Sequence, residues 1–171
     1  MEKELIINSS KSGSEIALLE DNRLVELHQD KDVDQIAVGD IFLGRIKKVI
    51  PGLNAAFVDV GYKKDAFLHY TDLSPNIRSL LKVTQFGVQG NNRQFNLKGF
   101  NFEPEIVKTG KIDDVLKNKQ YIIVQVIKEP ISTKGPRLSC EITIPGRNVV
   151  LAPFGQTVGV SRRIDSADER K

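Results

Sequence analysis

A mainly β fold, organised around a five-stranded Greek-key barrel, is what this sequence predicts, and three observations carry the prediction. Short runs rich in Val, Ile, Phe and Tyr recur along the chain with turn residues between them, which is the composition of strands. Five such runs fall at about residues 40–50, 54–60, 65–70, 120–128 and 137–143, with one long connection after the third. That order suits a barrel of the OB type. Finally, no stretch shows a sustained helical period, although Ile112 to Leu116 has room for one turn.

Ahead of the barrel, residues 4–7, 15–19 and 24–27 read as three short strands, with Asp21-Asn22 as the tight turn between the second and third. A small sheet with so few apolar residues is marginal alone, so it is expected to pack on something else.

The second and third barrel strands hold the most informative residues. Side chains alternate across a strand, so Ala56, Val58 and Val60 share one face, while Ala55, Phe57 and Asp59 share the other. In the next strand Ala66 and Leu68 lie together, opposite Asp65, Phe67 and His69. Pairing Val58 with Leu68 keeps both inward and makes Phe57 and Phe67 diagonal neighbours, about 7–8 Å apart at the backbone. Gly61 to Asp65 would form the turn. Aromatic rings on a wet sheet face are a stacking platform for single-stranded nucleic acid. The other placement buries both rings between the barrel and neighbouring structure; the Asp and His that share their face favour the platform.

In the fourth strand, the run Tyr-Ile-Ile-Val-Gln-Val-Ile from Tyr121 is the most strongly β in the chain. The connection before it, residues 74–110, is rich in Gly, Asn and Gln and reads as a long loop. Phe86, Phe95, Phe100 and Phe102 lie there with Arg93 and Lys98, and either extend a nucleic-acid surface or, as preferred here, anchor the loop to the barrel. After the barrel come a strand at 148–152, a Pro-Phe-Gly-Gln turn, and a strand at 158–164 containing Ser161-Arg162-Arg163. Ser166 and Glu169 form a capping box that should open a helix; it stands two residues before the last one, as in a fragment of a longer chain.

Composition bounds the function. The 171 residues are 40% hydrophobic and 27% charged, as in a folded globular protein. A net charge of +3 permits a polyanionic partner without demanding one. The lone Cys140 excludes an internal disulfide and suits a reducing compartment; its place in a β run reads as a small packed residue. With two histidines, His28 and His69, far apart in sequence, no metal site is proposed. No apolar run is long enough for a membrane span and the acidic start lacks the order of a signal peptide, so a cytoplasmic location is expected.

A family becomes visible in the motifs Leu5-Ile6-Ile7-Asn8, Gly44-Arg45-Ile46, Ala55-Ala56-Phe57-Val58-Asp59, Ala66-Phe67-Leu68, Ile112-Asp113-Asp114-Val115-Leu116, Ile123-Val124-Gln125-Val126, Thr133-Lys134-Gly135 and Ser161-Arg162-Arg163-Ile164. In this order the chain resembles the amino-terminal part of a ribonuclease E/G family endoribonuclease. The resemblance implies three parts: residues 1–38 as a piece of an RNase H-like subdomain, 39–143 as an inserted S1 RNA-binding domain with a long insertion at about 74–110, and 144–171 as the start of a 5′-sensor region. It implies RNA contacts for Phe57, Phe67 and Lys134, and a place at the sensor pocket for Val150 and Arg163. Arg45 and Lys47 would join Lys134 in holding phosphates, His69 would stack on or hydrogen-bond a base, and Lys63-Lys64 is either a phosphate contact or a solvated turn. The family cleaves RNA with paired carboxylates holding magnesium, and that motif has no counterpart here; Asp113-Asp114 reads as a surface cap. The segment is therefore expected to bind single-stranded RNA without cutting it. Its partners would be the catalytic domains of the parent chain, with a homo-oligomer formed through regions outside this segment. The competing readings are a stand-alone S1-type RNA-binding protein associated with translation, and a structural barrel whose Phe residues form a protein interface.

Overall fold

Asp21 and Asn22 both take positive φ, 47° and 62°, a conformation that short polar side chains tolerate better than most. They turn the chain inside a three-stranded meander of β1 (Lys3–Ser10), β2 (Gly13–Glu20) and β3 (Arg23–Asp30). The strands run longer than predicted, yet the meander leaves Leu5, Ile7, Leu24 and Leu27 more than half exposed. The computed structural model describes residues 2–10, 13–30, 36–90, 100–153 and 159–170. The meander belongs to one unit, residues 1–35, and the rest of the chain forms a second.

In the second unit, alternation closes the barrel. Strands β4 (Ile41–Ile50), β5 (Ala55–Asp59), β6 (Ala66–His69), β7 (Tyr121–Lys128) and β8 (Arg137–Ser139) join in the order β4-β5-β6-β8-β7, and β7 pairs back onto β4. Every pairing is antiparallel except β6 with β8. Ile46, Val58, Ala66, Leu68, Ile122, Val124 and Leu138 point inward and are buried. The fifth strand ends at Ser139, short of the expected 143, because the chain leaves the ladder there. Cys140 N–H donates to the Asp72 carbonyl (2.9 Å) and Glu141 N–H to Ser139 Oγ (3.0 Å). Cys140 is 2% exposed; burial, with the Asp72 charge second, pushes its thiol pKa far above the usual 9.0, so it is a packed residue and no nucleophile.

The β5–β6 register differs from the expected one by two residues. Phe57 pairs with Phe67, Ala56 with Leu68 and Val58 with Ala66. A shift of two leaves every side chain on its predicted face. The hairpin is centred one residue earlier than expected, on a turn in which Gly61 takes φ 82°, its N–H donates to Asp59 Oδ1 (2.9 Å), and Lys47 holds Asp65 (2.7 Å).

The largest departure is a helix within the expected loop. Ile77–Val88 forms α1, with Ile77, Leu80, Leu81, Thr84 and Val88 spaced to share a face. Ile77 and Leu80 enter the barrel core with Leu73, Ile112 and Leu116. Val83, Thr84 and Gly87, weak helix formers, obscure the period. The returning chain is fastened: Ile106 N–H donates to the Pro75 carbonyl (2.9 Å), Tyr70 Oη to Val107 O (2.7 Å), and Glu103 N–H to Ser79 Oγ (2.8 Å). Phe100 and Phe102 meet edge to face at 5.2 Å, with Lys82 of α1 over Phe100; Arg93, Phe95 and Lys98 lie outside the described residues. The expected turn at Ile112 is present as a 3₁₀ turn, Ile112–Asp114, with Asp113 and Asp114 exposed.

Asn54 ties these parts together. At φ 48° it ends the 3₁₀ turn Pro51–Leu53; its Nδ2 donates to the Gly110 carbonyl (3.0 Å) and its Oδ1 accepts the Ile112 N–H (2.7 Å). Asn54→Ala should strand both backbone groups and strain a left-handed site, costing about 2–4 kcal/mol in urea denaturation.

Beyond the barrel, β9 (Ile144–Pro145), β10 (Val149–Leu151) and β11 (Gly159–Val160) form a small sheet with β10 in the centre. The strand expected to reach 164 stops at Val160. Ser161 N–H donates to the Asn148 carbonyl (2.7 Å), then Ser161 Oγ accepts the Arg163 N–H (3.2 Å), which turns the chain. Pro153 lies in a turn, while residues 154–158, the rest of the Pro-Phe-Gly-Gln run included, are outside the described residues. The expected capping contact forms, Glu169 N–H to Ser166 Oγ at 3.4 Å, but residues 167–170 make a turn in place of the helix.

Candidate nucleic-acid interface

Phe57 and Phe67 sit directly opposite one another on the outward face of β5 and β6. Both are half-buried while their neighbours Ala56, Val58, Ala66 and Leu68 are buried. Their ring centroids lie 6.0 Å apart at an interplanar angle of 67°, the edge-to-face arrangement aromatic quadrupoles favour. His69 continues the row, stacked on Phe67 at 6.5 Å and 26°. Its Nδ1 accepts the Thr71 N–H at 3.2 Å.

A groove of about 840 Å³ opens against this pair, and its far wall is the segment from Lys128 to Arg137. Ile131 and Lys134 close a small turn there, Lys134 N–H donating to the Ile131 carbonyl (2.9 Å), with Ser132 at φ 50°. Three contacts fix the turn to the β5–β6 side. Lys64 Nζ donates to the Ser132 carbonyl, Phe67 N–H donates to the Pro136 carbonyl (2.8 Å), and Gly135 packs directly on the Asp65 backbone. Both walls are thus set before any ligand arrives.

The charges around the groove differ in their freedom. Arg137 is held by Asp72 at 2.8 Å. Among the described residues, Lys128 and Lys134 have no ion-pair partner. Lys47 does not line the groove; it pairs with Asp65 at 2.7 Å, and the hydrogen bond first, then the Asp65 charge, raises its pKa above the usual 10.5. While Asp65 is ionised, that pairing supports the fold below the ordinary lysine value, and it is lost as pH rises through the raised one. Arg45 is also outside the groove, its guanidinium 5.8 Å from the Tyr121 ring centroid. The structure therefore gathers Phe57, Phe67, Lys64 and Lys134 at one groove with His69 beside it, and adds Lys128 and Ile131. Val150 is the middle residue of β10, paired with Gly159 and Pro145, and Arg163 stands in the turn after β11.

Residues 35–141 match the family model of the S1 RNA binding domain. The chain belongs to the S1 RNA-binding family. The matched residues include all five strands of the closed barrel and the aromatic pair on its β5–β6 face. The flanks extend the likeness to ribonucleases. The chain is 38% identical over 167 residues to Ribonuclease G of Haemophilus influenzae, covering 98% of this chain and 30% of that protein. It is 36% identical over 171 residues to Ribonuclease G of Escherichia coli K12, covering 100% and 31%. To Ribonuclease E of a Nostoc species it is 36% identical over 164 residues, covering 91% and 20%. The resemblance to the ribonuclease E/G family thus holds along the whole chain, which spans under a third of the length of these relatives. Among the described residues no helix is long and apolar enough to cross a membrane.

Proposed function

We propose that this chain is the single-stranded RNA-binding part of a ribonuclease E/G-like endoribonuclease that acts in RNA processing and decay in the cytoplasm. The observation that carries the reading is the opposed Phe57–Phe67 pair facing a preformed groove with Lys134 on its other wall. Bases stack on the rings, which is sequence-tolerant because every base has a π-face. Lys134 and Lys128 meet the phosphates, and His69 lengthens the platform by one ring. Arg45 and Lys47 stand behind this front, Lys47 as a brace for the β5–β6 turn.

The resemblance supports the wider assignment. Residues 1–38 are a piece of an RNase H-like subdomain, 39–143 the S1 domain, and 144–171 the start of a 5′-sensor in which Val150 and Arg163 take part. The exposed apolar side chains of the meander fit a segment that packs against the remaining catalytic domains. RNA cleavage by the parent enzyme would use magnesium on paired carboxylates. Among the described residues no group of three or more His, Cys, Asp or Glu side chains is placed to hold a metal ion; on the resemblance, those carboxylates belong to other parts of the parent. Oligomerisation, on the same resemblance, belongs to other parts of the parent.

Fluorescence anisotropy with a labelled single-stranded RNA at several salt concentrations tests the reading. Affinity should fall steeply with salt, and Lys134→Ala should lower the slope of log K against log salt by about 0.7–1. An unchanged slope would remove Lys134 from the phosphate path. Salt-insensitive self-association without RNA binding would favour the structural-barrel reading. A chain trimmed of residues 1–38 and 144–171 that folds and binds unaltered would favour the translation-associated one.

A further inference from the structure

A second pocket, of about 360 Å³, lies on the S1 barrel between the carboxyl end of α1 and the start of β7. Leu81 and Val88 of α1 give it an apolar wall, and Tyr121, 40% exposed, stands opposite as the first residue of β7. Lys117 and Lys119 line it, and no carboxylate does. The turn that carries the lysines is fixed to β4. Lys119 N–H donates to the Ile46 carbonyl (2.7 Å), Ile46 N–H to the Gln120 carbonyl (2.8 Å), and Val49 N–H to Asn118 Oδ1 (2.9 Å). Lys119 holds φ 67° there. An aromatic ring, an apolar wall and two lysines on a braced turn fit an anionic ligand that also carries a planar base.

The pocket lies along one line with the phenylalanine pair. Phe57 and Asp59 share the outward face of β5; Asp59 pairs with Arg45 on β4, and Arg45 pairs with Tyr121 on β7. A chain leaving the Phe57–Phe67 platform and crossing the strands thus meets Arg45, then Tyr121. Asp59 is the carboxylate on this line; it accepts the Gly61 N–H (2.9 Å), and the guanidinium of its pairing partner Arg45 lies over Tyr121. We infer that Tyr121, Lys117 and Lys119 form a second nucleotide site, in which a base of the same RNA strand stacks on Tyr121 and its phosphates meet the two lysines and Arg45. The inference rests on the RNA-binding reading and extends its footprint from two strands of the barrel to four.

Labelled oligouridylates of about 4 and about 12 nucleotides, lengths that span the usual site sizes of such barrels, separate the two sites in an anisotropy titration. Tyr121→Ala and the double variant Lys117→Ala/Lys119→Ala should each weaken the longer RNA by about fivefold or more and leave the shorter one, which fills the phenylalanine platform, unchanged. Tyr121→Phe should bind both as wild type does. Equal binding of the longer RNA by Tyr121→Ala and wild type, while Phe57→Ala/Phe67→Ala is weakened, would overturn the second site and leave the first intact. Weakening of both lengths by Tyr121→Ala, or a Tyr121→Phe variant as weak as the Ala one, would overturn stacking at a separate site. Wild-type chain that binds neither RNA would overturn both readings together.

Discussion

Removing both rings, as Phe57→Ala/Phe67→Ala, is expected to weaken single-stranded RNA binding by about tenfold or more. Stacking on an aromatic side chain is worth about 1–3 kcal/mol per base, and here two rings 6.0 Å apart serve one groove. The loss should fall on binding and spare the fold. Both rings are half-buried on the outward face, while the core below them is built by Ala56, Val58, Ala66 and Leu68. Circular dichroism should therefore report the same sheet content in the variant. Because the rings contact each other, the two single variants should lose less in sum than independent sites would, or more, but not the additive amount. A folded double variant with wild-type affinity would exclude the platform.

Gly135→Ala is the second large effect, and it acts on fold and binding together. A Cβ at this position would stand 2.0 Å from the Asp65 carbonyl oxygen and 2.8 Å from its carbon. Both are backbone atoms, so no side chain can swing aside. The contact lies where β6 and β8 run parallel and Phe67 N–H reaches the Pro136 carbonyl (2.8 Å). Relieving it means parting the barrel at that seam, at an expected cost of about 3 kcal/mol or more in urea denaturation. The turn bearing Lys134 would move with it, so RNA affinity of the folded fraction should also drop. Gly52→Ala, where an added Cβ meets nothing within 4 Å, is the matching control and should change stability by less than about 0.5 kcal/mol.

Much of the barrel was legible because strand alternation is a local property. Val58, Ala66, Leu68, Ile122 and Val124 had only one face to take once their strands were recognised, and the structure buries them. The register of β5 on β6 was less so. It depends on where the turn is centred, and one of the bonds that hold that turn, Lys47 to Asp65, has its partner on another strand. Helix α1 carried a readable spacing from Ile77 to Val88, but Gly87 and the β-branched Val83 and Thr84 lowered its propensity, and the Gly/Asn/Gln run that follows drew attention to loop character. Tertiary packing of Ile77 and Leu80 into the core outweighs that propensity.

The site divides in the same way. Phe57 and Phe67 could be placed from alternation alone, since aromatic residues beside Asp and His on one strand face mark a wet surface. Lys128 and Ile131 could not, because a turn distant in sequence brings them across the groove. Arg45 and Lys47 read as phosphate ligands from their position on β4; the fold pairs Lys47 with Asp65 and lays Arg45 over Tyr121, outside the groove. Sequence showed which charges were near the barrel; only the fold showed which of them line the groove.

The central claim is that RNA lies in the groove between the phenylalanine pair and the Lys134 turn. Titrating the isotope-labelled chain with a short single-stranded RNA, and following amide shifts by NMR, locates the ligand residue by residue. The account predicts the largest shifts at Phe57, Phe67, His69 and across residues 128–137, with smaller ones reaching Arg45 and Tyr121 as the RNA lengthens. Shifts confined to the meander or to the β9–β10–β11 sheet, with the groove silent, would contradict it.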